Sequence, residues 1–136
     1  MKITADTNVL VRIVMQDDAE QAAVAQALFL QATVIAIPVP VFCEFAWVLK
    51  RGYASSANEI ASAIEAIVEV DAVVTDLPAV EAGLTVLRAG GDFADGALSY
   101  QGETLGGTVF ASFDRNAVAL LRKKGAEAAD PTELIA

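Results

Sequence analysis

Short β-compatible runs alternate along this chain with longer stretches of helical period. Lys2–Ala5 is β-compatible and ends at Asp6. Beyond it Val9, Leu10, Ile13 and Val14 recur at helical spacing, which places Asp6 at a strand-to-helix junction. Asp17 and Asp18 both suit the N-cap of a second helix over Ala19–Ala32. Thr33–Ile37 reads as a buried strand closed by Pro38 and Pro40, followed by a helix from Val41 to Arg51 stopped at Gly52. Ser56-Ala-Asn-Glu59 is a capping-box pattern opening a helix that runs to about Glu69. Ala72–Thr75 is a third short strand. Helices follow over Leu77–Ala89 and Asp92–Leu105, each ended by a glycine pair. Thr108–Phe113 is a fourth strand that reaches Asp114, and Asn116–Lys124 is a helix stopped by Gly125. Glu127–Ala129 is a last edge strand and Pro131–Ile135 a closing turn of helix.

Strands alternating with helices predict an α/β fold with a parallel sheet covered on both faces. With 136 residues and no linker, repeat or low-complexity segment, one domain over 1–136 is expected. The stretch Leu28–Leu49 is apolar enough to raise a membrane question. Gln31, Pro38, Pro40 and Glu44 interrupt it, so no membrane span is expected. Met-Lys-Ile-Thr-Ala-Asp at the start lacks the apolar core and cleavage site of a secretory signal.

Composition removes much chemistry. The chain has no histidine, which excludes histidine triads, dyads and metal sites. A single cysteine, Cys43, allows no internal disulfide and fits a reducing compartment. Eighteen acids against nine bases leave a net charge of −9, so the chain does not coat nucleic acid through bulk charge. That balance leaves open a nucleic acid held at a local site.

Ligands of such sheets bind beyond the carboxyl ends of the strands. Asp6 and Asp114 each follow a strand directly, after the apolar residues Ala5 and Phe113. Glu44 is the only charged residue from Val34 to Leu49, in a helix read as core-facing. An unpaired carboxylate there costs several kcal/mol. Arg51, two turns on, offsets that cost in one reading, and a cation at the sheet edge does so in another. Asp92 and Asp95 lie in the first turn of one helix, where the helix dipole favours both. Capping explains Asp6, Asp92 and Asp114 one at a time. Taken together, the inferred sheet brings acids from separate segments to one edge. Crowded carboxylates need protons or a cation, and oxygen-only ligands select a hard ion such as Mg²⁺ or Mn²⁺. A carboxylate-held ion of this kind handles phosphate chemistry without histidine.

At this point the sequence resembles the PIN-domain family of metal-dependent ribonucleases, and more narrowly the VapC-type toxins of bacterial toxin–antitoxin pairs. The residues that carry the resemblance are Ala5-Asp6-Thr7-Asn8-Val9-Leu10, Pro40-Val41-Phe42-Cys43-Glu44-Phe45, Asp92-Phe93-Ala94-Asp95-Gly96-Ala97-Leu98 and Ser112-Phe113-Asp114-Arg115. They occur in order and span nearly the whole chain. The resemblance implies a Rossmann-like three-layer α/β/α sandwich with a short central parallel sheet. It implies catalytic, metal-holding acids at Asp6, Glu44, Asp95 and Asp114, with Asp92 as an accessory acid or a cap. Thr7, Asn8 and Ser112 would support these ligands through hydrogen bonds. It further implies Mg²⁺ or Mn²⁺ as cofactor, an RNA substrate, a cognate antitoxin protein, a homodimer and a cytoplasmic location. Gly96 stands where a larger residue, often alanine, is expected, and a looser turn follows from that. Removing the four acids still leaves a charge of −5, so RNA contact falls to local cations: Arg12, Arg115, Lys50-Arg51 and Arg122-Lys123-Lys124, the last group also explained by its place at a helix C-terminus.

Other functions fit less well. An aspartyl-phosphate enzyme or a receiver domain needs a lysine at the end of a later strand, and none stands there. A dinucleotide-binding domain needs Gly-x-Gly-x-x-Gly after the first strand, which is absent. The alternative from a different class is a catalytically silent PIN-like binding or scaffold module.

Overall fold

A computed structural model describes residues 1–136. The chain forms two compact units, Met1–Leu77 and Pro78–Ala136.

The first unit runs β1 (Lys2–Thr4), α1 (Thr7–Met15), α2 (Ala19–Gln31), β2 (Val34–Ala36), α3 (Val39–Tyr53), α4 (Ala57–Val68) and β3 (Val73–Val74). Its strands form one parallel sheet in the order β1-β2-β3, with Ile3 opposite Ile35 and Ile35 opposite Val73. Parallel neighbours need a crossover, and here each crossover is a pair of helices. Helix α1 packs on α2 and α3, and α3 packs on α4. Leu10, Ile35, Phe42, Phe45, Ile60 and Ile64 are fully buried. The capping box at Ser56 forms as expected: Ser56 Oγ accepts from the Glu59 amide at 3.1 Å, and Glu59 accepts from the Ser56 amide at 2.9 Å.

The second unit contains α5 (Leu77–Arg88, its first residue at the boundary), α6 (Phe93–Thr104), β4 (Phe110–Ala111), α7 (Arg115–Lys123), β5 (Ala128–Ala129) and α8 (Pro131–Leu134). Strands β4 and β5 pair in parallel as a separate two-stranded sheet. Val86, Val118, Leu121 and Ala128 form a buried cluster, with Phe110, Leu120 and Ala126 packed against it. Gly90, Gly106 and Gly125 take positive φ at three of the four helix ends where glycine was expected to act.

Four local expectations are corrected. Only Asp18 caps α2, accepting from the Gln21 amide, whereas Asp17 accepts from the Tyr53 hydroxyl at 2.6 Å. Pro40 does not close a strand; it lies in the first turn of α3, where a missing N–H costs nothing. Gly52 does not stop α3. The helix continues to Tyr53, whose hydroxyl reaches Asp17, and Ala54 takes the left-handed conformation at φ 52° instead. Gly96 is not a loose point. It is buried, and an added Cβ would meet the Ala82 carbonyl oxygen at 2.4 Å and Val86 Cγ2 at 2.8 Å. The missing side chain is what lets α6 lie against the backbone of α5.

Candidate functional site

In the first unit, α1 and α3 start at the carboxyl ends of the adjacent strands β1 and β2. Asp6 is the N-cap of α1, with Oδ1 accepting from the Thr7 amide at 2.8 Å. Thr7 is buried, and its hydroxyl donates to Glu44 Oε2 at 3.1 Å. One residue therefore joins two acids that lie far apart in sequence. Glu44 itself is exposed, which corrects its placement in a core-facing helix. The buried face of α3 is Val39, Phe42, Phe45, Ala46 and Leu49, and Glu44 lies on the opposite side. No ion pair joins it to Arg51. The desolvation cost expected of a buried carboxylate does not arise.

In the second unit, two helix N-termini present three acids. Asp92 caps α6, accepting from the Ala94 amide at 2.9 Å. Asp114 follows β4 and caps α7, where Oδ1 accepts from the Asn116 and Ala117 amides at 3.0 and 3.1 Å. Ser112 Oγ accepts from the Asp114 amide at 3.0 Å, so Ser112 holds the backbone of that acid rather than its carboxylate. Asp95 is half-buried one turn into α6. Burial raises its pKa above the ordinary aspartate value of 3.8, and the charges of Asp92 and then Asp114 raise it further. These three acids are thus brought together, and Asp95 bears their repulsion with no hydrogen bond to relieve it.

A common design recurs. Asp6, Glu44, Asp92 and Asp114 each have one carboxylate oxygen fixed by a donor of the chain. The other oxygen of each makes no hydrogen bond within the chain. Pre-oriented carboxylate oxygens are the donors a hard divalent cation prefers. No group of three or more acidic or cysteine side chains is gathered at metal-holding distance. Magnesium does not need such a cage, because it is held by one or two carboxylates and keeps several waters. The donor set fits that ion.

The remaining candidates sit apart from these acids in their bonding. Asn8 is exposed, bonds to none of them, and lines a groove of about 480 Å³ with Val9, Arg12, Val24 and Leu28. Arg12 is committed within the unit, to Gln21 Oε1 at 2.6 Å and Asp17 at 3.4 Å. Arg115 has no hydrogen-bonded or ion-pair partner and faces a cavity of about 330 Å³ beside Ser112, Arg122 and Asp130.

A family model for the PIN domain matches residues 3–124. The chain belongs to the PIN-domain family. Among curated proteins none matches it. The PIN domain is generally a nuclease fold, and PIN nucleases act on RNA and generally use divalent metal ions. The α/β class expected from the sequence is present, and the short three-stranded parallel sheet is consistent with the PIN three-layer sandwich. No helix is long and apolar enough to cross a membrane.

The raised pKa of Asp95 has a testable consequence. An acid with a raised folded-state pKa binds its proton more tightly folded than unfolded. Its contribution favours folding below about pH 3.8 and is lost as pH rises through the raised value. Asp17, Glu59 and Asp130, whose pKa values are lowered by hydrogen bonds, work in the opposite sense. Asp95→Asn should therefore melt above the parent in EDTA, with a gap that widens from about pH 4 to about pH 7. Millimolar Mn²⁺ should close the gap by stabilising the parent. Calorimetry that finds the gap independent of pH would remove the repulsion from the account.

Proposed function

We propose that the chain is a metal-dependent endoribonuclease and the toxin of a type II toxin–antitoxin pair, with residues 1–136 acting as one PIN domain. The observation that carries the reading is the set of half-committed carboxylates at strand ends and helix N-termini, in a chain without histidine. Asp6, Glu44, Asp95 and Asp114 would hold Mg²⁺ or Mn²⁺, with Asp92 as cap and accessory acid. When bound, such an ion lowers the pKa of a water for in-line attack on a phosphodiester and stabilises charge on the phosphoryl oxygens.

The chain's own residues do the rest. Thr7 fixes the side chain of Glu44 from a buried position, so the acid keeps one oxygen aimed outward. The two α7 amides hold Asp114 Oδ1 in place and leave Oδ2 available. Asp95, half-buried and repelled by its neighbours, is the acid with most to gain from a cation. Arg115, which makes no hydrogen bond and whose charge acts on the nearby Asp130, supplies a guanidinium for a backbone phosphate. Arg12, engaged with Gln21 and Asp17, would have to exchange those bonds to serve in the same way. A homodimer and a cognate antitoxin complete the proposal. A cytoplasmic location accords with a chain whose single cysteine, Cys43, has no second cysteine for an internal disulfide.

The test is cleavage of end-labelled RNAs with and without EDTA. Products that appear only with Mg²⁺ or Mn²⁺, and return when EDTA is titrated out, are expected. Failure across structured and unstructured RNAs at millimolar metal would favour the silent binding module instead.

A further inference from the structure

Helix α3 carries an exposed strip that the acid set does not account for. Trp47 is the only tryptophan in the chain, and it is 61% exposed. It stands one turn beyond Glu44 and one turn before Arg51. At 3.6 residues per turn, Pro40, Glu44, Trp47 and Arg51 fall within a sector of roughly 60°, opposite the buried face of Phe42, Phe45, Ala46 and Leu49. Lys50 borders the strip on the Trp47 side. Lys50 and Arg51 are exposed and have no ion-pair partner. The order along the helix is therefore acid, indole, cation, all facing solvent.

This order does not match an apolar docking stripe, because charged residues flank the single large aromatic on both sides. It matches a single-stranded polynucleotide, whose bases offer π-faces and whose phosphates alternate with them. Trp47 and Arg51 are about 6 Å apart along the axis, within side-chain reach of one nucleotide. On the basis of the ribonuclease reading, we infer that Trp47 is a nucleobase platform. It stacks one unpaired base of the substrate RNA one helical turn from Glu44, while Arg51 and Lys50 take the adjoining phosphate. The platform selects single-stranded over duplex RNA, because only an unstacked base can lie on the indole. It is tolerant of base identity, since every base has a π-face.

The lone tryptophan makes the test direct. The protein in EDTA is titrated with an unstructured 5′-labelled RNA of about 12 nucleotides, long enough for one such site. Label anisotropy and tryptophan emission are read together. Quenching should saturate in step with anisotropy and be lost with an abasic strand of the same length. Trp47→Ala should weaken binding by roughly tenfold or more, and Trp47→Phe by no more than about threefold. RNA that binds by anisotropy without altering the emission overturns the platform and leaves the nuclease reading standing. RNA that binds in neither signal overturns both. Emission that shifts on dilution of the protein alone shows a second copy covering Trp47, and overturns the platform.

Discussion

Asp6→Asn should reduce RNA cleavage by at least roughly 10²-fold while leaving the melting temperature almost unchanged. The two expectations rest on different oxygens of one side chain. Oδ1 accepts from the Thr7 amide and caps α1. Asparagine caps as well as aspartate does, so that bond survives the change. The second oxygen has no partner within the chain. In the variant it is replaced by an amide that carries no charge and donates rather than accepts. On the proposed metal-site reading, a cation ligand is lost and a helix cap is kept. Asp6→Ala makes the useful contrast, because it also removes the cap and should cost about 1 kcal/mol of stability. Single-turnover cleavage and a thermal melt on both variants separate the roles. Parent-like turnover in Asp6→Asn would take this residue out of the site.

A second large effect is expected where no acid is touched. Gly96→Ala should destabilise the protein by about 1–3 kcal/mol, lowering the melting temperature by several degrees. Alanine favours a helix over glycine by about 1 kcal/mol, so propensity alone predicts the opposite sign. Packing decides it. The new methyl would sit 2.4 Å from the Ala82 carbonyl oxygen, a backbone atom with no rotamer to move away in. Helix α6 must shift, and it carries Asp92 and Asp95 at its start, so cleavage should fall as well. Gly102 in the same helix is the control, since nothing lies within 4 Å of an added Cβ there. Gly102→Ala should be neutral or stabilising, by up to about 1 kcal/mol. If both variants melt alike, close approach of the two helices is not what Gly96 provides.

The pair of glycines shows why some of the molecule was legible and some was not. A cap is written in neighbouring residues: Ser56 with Glu59, or Asp18 three residues before the Gln21 amide it accepts from. Glycine after a helix acts through its own φ, so Gly90, Gly106 and Gly125 could be placed from the chain alone. Gly96 acts through what lies opposite it, Ala82 and Val86, and no local pattern announces that. Gly52 failed as a stop for a similar reason. A hydroxyl bond from Tyr53 to Asp17, across 36 positions, accompanies an additional stretch of helix.

Glu44 was singled out as a carboxylate in a core-facing helix, and the structure places it in solvent. Its helix has apolar residues on most sides, and composition alone reads that as burial all round. The fold buries one face of α3 and leaves Glu44, Trp47 and Arg51 on the other. The bond from Thr7 to Glu44 depends on β1 and β2 being neighbours in parallel register, which spacing along the chain cannot supply.

By itself the sequence determined the alternation of strands and helices, most helix ends and the absence of histidine chemistry. These are properties of single residues and near neighbours, where backbone preference and side-chain chemistry act over a few positions. The tertiary structure alone decided which face of α3 meets water, which oxygen of each acid is held, why Asp95 holds its proton more tightly, and why residue 96 has no side chain. Those depend on distances between segments remote in the chain, and such distances exist only once the chain has packed.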